Sequence, residues 1–228
     1  MNIRKVMRKI PVVGPYFRRV YRKWVSPRKP FQGSEVYWDE RYEAGRNSGA
    51  GSYSHLADFK AEILNAFVLE HGVSSVIEYG CGDGNQLGLA KYPSYTGFDV
   101  SPKAISICAE IFSGDETKTF KLMAEYGGES AELTLSLDVI YHLVEDEVFA
   151  AYMNRLFDSS TKFVAIYSSD YADGFSGTAS HVRHRHFSQL VAANKVGWEL
   201  IKHIPNRYPL NRDTGGGSFS DFYIYAKS

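Results

Sequence analysis

The sequence predicts an α/β protein: one doubly wound sheet of seven strands, with helices between most of them, behind a basic N-terminal arm. Three observations predict it. From Ser34 onward strand and helix patterns alternate, which implies a parallel sheet with crossover helices. A strand ending in an acid runs directly into the glycine-rich turn GCGDG. The last strand is reached by a tight loop, and neither an internal repeat nor a linker marks a second folded domain. With 228 residues, 44% of them hydrophobic, the chain can bury the core of one large domain over residues 34–228.

The elements follow in order. A short aromatic helix is expected around residues 36–45, then a flexible loop, RNSGAGSYS, at 46–54. The next helix, about 55–70, places Leu56, Phe59, Ile63, Leu64 and Phe67 on one face at helical spacing. SSVIEYG at 74–80 is the first strand, followed by the glycine turn and a helix from about Asn85. YTGFDVS is the second strand. The helix after it has Ser101 as N-cap and Pro102 at its first position, where proline's missing N–H costs nothing. TFKLMAE and LTLSLDV read as strands three and four, with a helix at about 145–156. KFVAIYSSD is the fifth strand, HFSQLVAANK a helix, WELIKHI the sixth strand and SFSDFYIYAK the seventh.

Charge is unevenly spread. The first 34 residues hold ten of the 26 Lys and Arg and none of the 26 Asp and Glu, so the remainder carries a formal charge of −10. An acidic body is not the profile of a nucleic-acid binder. In the arm, residues 1–33, apolar and aromatic side chains interleave with Arg and Lys, and Pro11 and Pro15 divide it into two short amphipathic pieces. Residues 1–30 suit the surface of an anionic membrane, where each basic residue contributes about 1 kcal/mol. The other reading, an arm packed on the domain or disordered, stays open. No apolar run reaches the roughly 20 residues that cross a bilayer, and the N-terminus lacks a secretory leader's apolar stretch. Cys81 and Cys108 lack metal-ligand spacing, so no metal site is expected. These features point to a cytoplasmic protein, with the arm at the inner face of the membrane if it docks there.

VIEYGCGDGNQ carries the functional argument. Gly80 and Gly82 let backbone approach a ligand and turn without a Cβ clash, and a following helix N-terminus would present amide groups to it. Dinucleotide-binding turns are similar, but their third glycine is replaced here by Asn85, and Glu78 stands two residues before Gly80. Asp99 ends the second strand, where a carboxylate can accept both ribose hydroxyls.

At these residues the chain resembles the class I S-adenosylmethionine-dependent methyltransferases. The resemblance covers about residues 35–228 and is strongest in VIEYGCGDGNQL, YTGFDVSPKAI and LSLDVIYHLVED. It implies a Rossmann-like fold and S-adenosylmethionine (SAM) as cofactor. It places Gly80, Cys81 and Gly82 along the methionine part, with Glu78 also binding the cofactor, Asp99 at the ribose and Glu125 at the adenine, where the family often has Asp. Asp138 would sit beside the methyl group. The pattern from YWDERYEAG to HLADFKAEILN is similar to methyltransferases of bacterial capsule and lipopolysaccharide gene clusters. That finer resemblance implies O-methylation of a surface-glycan hydroxyl, or of a phosphate or phosphoramidate substituent on a glycan precursor. A small-metabolite methyltransferase and a non-catalytic SAM-binding scaffold are the alternatives.

The nucleophile decides what else is required. A sugar hydroxyl needs its proton removed, and His142, four residues past Asp138, is the candidate base, with Asp138 orienting it and Tyr141 lining the site. His142 as a purely structural lining residue is the competing reading. An anionic acceptor would need cations instead, and SHVRHRHF offers His181, Arg183, His184 and Arg185 after the fifth strand. That stretch reads equally as a solvated charge cluster. The Gly- and Ser-rich loop reads as a lid flanked by Tyr37, Trp38, Arg41, Tyr53 and Lys60; Tyr37 and Lys60 are the two expected to meet the acceptor, and packing of that aromatic helix is the competing reading.

Overall fold

The computed structural model describes residues 31–171, 179–211, 213 and 216–228. Expectations for the arm fall almost wholly on residues 1–30, outside the described residues. Gln32–Ser228 forms one compact unit.

Among the described residues five α-helices and seven strands follow one another: α1 (Ser34–Glu43), α2 (Ser54–Glu70), β1 (Val76–Tyr79), β2 (Tyr95–Asp99), α3 (Pro102–Ile111), β3 (Lys118–Leu122), β4 (Ala131–Leu137), α4 (Asp146–Asp158), β5 (Ser160–Ser168), α5 (Phe187–Asn194), β6 (Trp198–Ile204) and β7 (Asp221–Lys227). The seven strands form one sheet in the order β3-β2-β1-β4-β5-β7-β6. Strands β1 to β5 pair in parallel, and β7 inserts antiparallel between β5 and β6. Winding runs outward from β1 in one direction and from β4 in the other. Their carboxyl ends therefore flank a crevice, the place where open α/β sheets bind ligands.

Period-2 alternation separates the two faces of the sheet. Leu133, Leu135, Ala165, Tyr167, Phe222 and Ile224 pack under α2 with Phe59, Leu64 and Phe67. Ile77, Tyr79, Val164, Ile166 and Tyr225 pack under α4 and α5 with Phe149, Leu156, Phe157 and Phe187. Each large apolar side chain buried this way contributes about 1.5–3 kcal/mol on leaving water.

Three expectations are corrected. The last strand is not reached by a tight loop, because residues 205–220 separate β6 from β7. No α-helix follows the glycine turn: residues 85–94 contain only the 3₁₀ turn Leu87–Leu89 before β2 begins. Gly84, Gly88 and Pro93 lie within ten residues, and two glycines and a proline remove the propensity a helix needs there. The third strand stops at Leu122, because Met123–Glu125 turns into a 3₁₀ segment. Ser101 does occupy the N-cap of α3, yet its hydroxyl makes no cap hydrogen bond and donates instead to Asp39 on α1 (2.9 Å). Among the described residues no helix is long and apolar enough to cross a membrane.

Candidate active site

The carboxyl ends of β1, β2 and β4 surround a cavity of about 480 Å³. Glu78, Gly80, Cys81 and Gly82 reach it from β1, Asp99 and Val100 from β2, Asp138 and His142 from β4. Gly80 and Gly82 both adopt left-handed φ values, +86° and +60°. A Cβ on Gly80 would lie 2.6 Å from Val139, and one on Gly82 would collide with Ser48 and Tyr42. Only glycine leaves this edge of the cavity as bare backbone. The Gly82 N–H donates to Asp99 Oδ2 (2.9 Å) and the Ser101 N–H to Oδ1 (3.0 Å), which fixes the Asp99 carboxylate at the rim.

Glu78 is buried and accepts a hydrogen bond from the Tyr95 hydroxyl (2.7 Å). Burial pushes its carboxyl up to about 7, against the pull of Tyr95 and Lys60. Asp99 is raised above its ordinary value, again by burial first. Gln86, buried at the same cavity, donates its amide to the Ala57 carbonyl (3.1 Å), and its Oε1 has no partner.

Asp138 follows β4 with φ +60°, a left-handed value for a residue with a Cβ. Its Oδ2 accepts from Lys60 Nζ (2.8 Å), and its Oδ1 accepts from Tyr141 (3.0 Å) and Ser220 (3.2 Å). Lys60 is wholly buried, with its ammonium 5.3 Å from the centre of the Tyr167 ring. Asp138 makes no hydrogen bond to His142, so the expected pairing is corrected: the carboxylate serves Lys60. His142 Nδ1 instead meets the His181 carbonyl (2.8 Å), which can only accept. Nδ1 therefore carries the proton, and the neutral ring keeps its lone pair on Nε2. Burial pushes His142 down to about 4.

Helix α1 closes one side. Ser34 is tied to Glu145 through its N–H (2.9 Å) and hydroxyl (2.6 Å), so the helix start is held against the loop before α4. Trp38 meets His142 edge-on at 4.9 Å, and Tyr37 stacks on His181 at 4.1 Å with a hydroxyl contact of 3.2 Å. The loop after α1 is latched onto the glycine turn. Ser48 N–H donates to Asp83 Oδ2 (2.9 Å), Asp83 N–H to Ser48 Oγ (3.0 Å), and Tyr53 OH to Asp83 (2.8 Å). Gly51 lies so close to Asp138 that a Cβ there would be 2.6 Å from Oδ2.

Several expected contacts lie elsewhere. Glu125 is exposed, and its carboxylate accepts the Leu122 N–H (2.7 Å), leaving Met123 to line the cavity. Arg183 and Arg185 brace the loop before α4 through Val144 O and Asp146 (2.9 to 3.2 Å), and Arg185 also covers the Phe149 ring. His184 is buried against Ser169 (2.7 Å) and Tyr171 (3.2 Å). Tyr141 reaches Asp138 from behind, and His181 stands outside the cavity lining. Trp38, which flanks the lid in the sequence, lines the cavity, whereas sequence reasoning missed Tyr42, Gln86, Tyr152 and Arg155. Only Gln86, inside the glycine motif, carried a signal that could have found it. Among the described residues no group of His, Cys, Asp and Glu could hold a metal ion.

No family model and no curated protein matches the chain. Solved structures do. The N-methyltransferase NodS from Bradyrhizobium japonicum WM9, in complex with S-adenosyl-L-homocysteine, superposes with a TM-score of 0.66 at 15% identity, over 86% of this chain and 99% of that one. Magnesium protoporphyrin IX methyltransferase (ChlM) from Synechocystis PCC 6803, with bound SAM, gives 0.60 at 14%, over 88% and 100%. A SAM-dependent methyltransferase from Methanosarcina mazei gives 0.53 at 14%, over 70% and 96%. The chain has the class I, Rossmann-like methyltransferase fold.

Proposed function

We propose that the chain is a SAM-dependent methyltransferase. The observation that carries this reading is the bare-backbone cradle at Gly80 and Gly82, set against the buried Asp99 carboxylate at the adjoining strand end. The residues fit the cofactor. Gly80, Cys81 and Gly82 would take its methionine part, and the unpartnered Gln86 Oε1 with Glu78 offers acceptors for the ammonium group. Asp99 would take the ribose hydroxyls, and Val100 and Met123 supply apolar walls for the adenine, in place of Glu125. When bound, SAM supplies an activated methyl group on a sulfonium.

The chain's own part is to position and to exclude water. Lys60, Tyr141 and Ser220 hold Asp138 at one orientation at the end of β4, and the latched loop at 46–54 lies against it at Gly51. His142 stays neutral across the physiological range, so its Nε2 lone pair is available to a hydroxyl proton in the transition state. A conjugate acid at about 4 makes it a weak base.

For the acceptor we propose a surface-glycan hydroxyl, or a phosphate or phosphoramidate substituent of a glycan precursor. The support is the resemblance of residues 37–65 together with the basic arm. Residues 1–30 would dock on anionic lipid at the cytoplasmic face, and deleting them should abolish liposome binding without changing cofactor affinity. Unchanged liposome binding removes that part. Methyl-labelled SAM incubated with the protein and fractionated lysate tests the acceptor. Label in lipid-linked or polysaccharide fractions is the expected result, and label only in small soluble metabolites would replace it with the small-metabolite reading.

A further inference from the structure

We infer that Arg41 and Arg46 form a receiving site for the phosphate group of the methyl acceptor, separated from Asp138 by residues Gly49–Gly51. The inference rests on the methyltransferase reading. It moves the anion site away from Arg183 and Arg185, whose guanidinium groups are engaged by Val144 and Asp146.

The geometry is specific to this corner. Arg41 is half-buried; its Nε donates to the Asn47 carbonyl (2.7 Å), and its guanidinium lies 5.4 Å from the centre of the Trp38 ring. That leaves its outer nitrogens fixed in direction. Arg46 is exposed five residues on, and its N–H donates to the Arg41 carbonyl (3.1 Å), so the two residues are joined through the backbone. Neither makes an ion pair with a carboxylate among the described residues. Both lie near enough to His181 to disfavour its charged form, after burial. Two guanidinium groups that act on the same histidine, with no carboxylate paired to either, suit a doubly charged ligand.

The path to the reacting centre is short. The Arg41 Nη2 atom is 3.7 Å from where a Gly49 Cβ would stand, and the corresponding position on Gly51 is 2.6 Å from Asp138 Oδ2. Between cation and carboxylate lies a Gly-Ala-Gly bridge with almost no side chains. A ligand can lie across it with its anion on the arginines and its nucleophile toward Asp138. A phosphate ester, at about −1.5 to −2 charge, matches two guanidinium groups better than a carboxylate does, and Arg binds it through paired hydrogen bonds.

Inorganic phosphate titrated calorimetrically into the full chain, with and without S-adenosylhomocysteine, tests this. Saturable binding is expected, weakened about tenfold in Arg46→Gln, which is exposed and should fold normally, and further in the Arg41→Gln, Arg46→Gln double variant, where each tenfold is about 1.4 kcal/mol. Arg183→Gln should leave phosphate affinity unchanged, as should acetate at equal ionic strength fail to compete. Equal phosphate affinity in the double variant and the wild type overturns the site. So does displacement of phosphate by phosphatidylglycerol vesicles but not by a sugar phosphate, which would make the ligand a lipid surface rather than an acceptor. Failure of S-adenosylhomocysteine to bind would sink the methyltransferase reading instead, and the titration without it still decides the anion site.

Discussion

Lys60 and Asp138 form a buried ion pair, Nζ to Oδ2 at 2.8 Å, with the lysine side chain wholly buried and the aspartate 12% exposed. They lie 78 residues apart, on α2 and at the end of β4, so the pair locks a helix from one face of the sheet to the crevice. Buried pairs add little net stability, but removing one partner strands the other. Lys60→Ala should therefore destabilise the fold by about 3–5 kcal/mol in denaturant unfolding. Replacing both, Lys60→Met with Asp138→Asn, which tolerates the left-handed backbone and still accepts from Tyr141 and Ser220, should recover most of that loss while leaving methyl transfer abolished. A Lys60→Ala variant as stable as the wild type would show that the ammonium is not needed to hold Asp138.

Glu78 makes stability depend on pH in a defined direction. Its folded carboxyl titrates at about 7, above the ordinary value of 4.5, so the folded state holds a proton that the unfolded chain releases. The associated stability is full below pH 4.5 and is lost as pH rises through 7, a change of about 3 kcal/mol. Glu78→Gln should flatten the wild-type decline in unfolding free energy across that window. An equal decline in both proteins would mean that Glu78 is ionised in the fold.

His142 moves the other way. Held down to about 4 by burial, it is neutral in the fold while the unfolded histidine protonates near 6.5, so its contribution to stability is lost as pH falls from 6.5 toward 4. Methyl-transfer rates should accordingly show no inflection between pH 6 and 7 that disappears in His142→Ala. With a hydroxyl acceptor that variant should lose about tenfold or more in turnover at little cost in cofactor affinity. Full turnover in His142→Ala would leave the histidine a lining residue.

Gly51 offers a clean steric test, because its φ lies outside the left-handed region and alanine fits its backbone. Gly51→Ala adds only a Cβ, 2.6 Å from Asp138 Oδ2. The change should cost roughly 1 kcal/mol or less in stability yet lower turnover about tenfold or more by displacing Asp138 or lifting the loop. Unchanged turnover would mean that the loop over Asp138 opens freely.

What the sequence revealed follows from the range of the interactions. Strand alternation, the glycine turn and the acids ending β1 and β2 are local patterns, so Glu78, Gly80, Gly82 and Asp99 were legible, and so was the position of Asp138. The partners of those groups were not. Ser34 with Glu145, Tyr37 with His181 and Lys60 with Asp138 are joined across 111, 144 and 78 residues. A spacing of four residues suggests that Asp138 orients His142, but the 3₁₀ turn at Ile140–His142 sends its Nδ1 to the His181 carbonyl. Arg183 and Arg185 looked free because Asp146 and the Val144 carbonyl, nearly 40 residues away, meet them only in the fold. The helix expected at Asn85 failed for a local reason, its own glycines and proline.

The central claim is that the cradle at β1 and the carboxylate at β2 bind SAM. Calorimetric titration of S-adenosylhomocysteine into the wild type and into Asp99→Ala tests it most directly, with circular dichroism confirming that both are folded. Saturable one-to-one binding in the wild type, weakened about tenfold or more without Asp99, is the predicted result, a loss of about 1.4 kcal/mol or more. No binding by the folded wild type, or equal binding by both proteins, would contradict it.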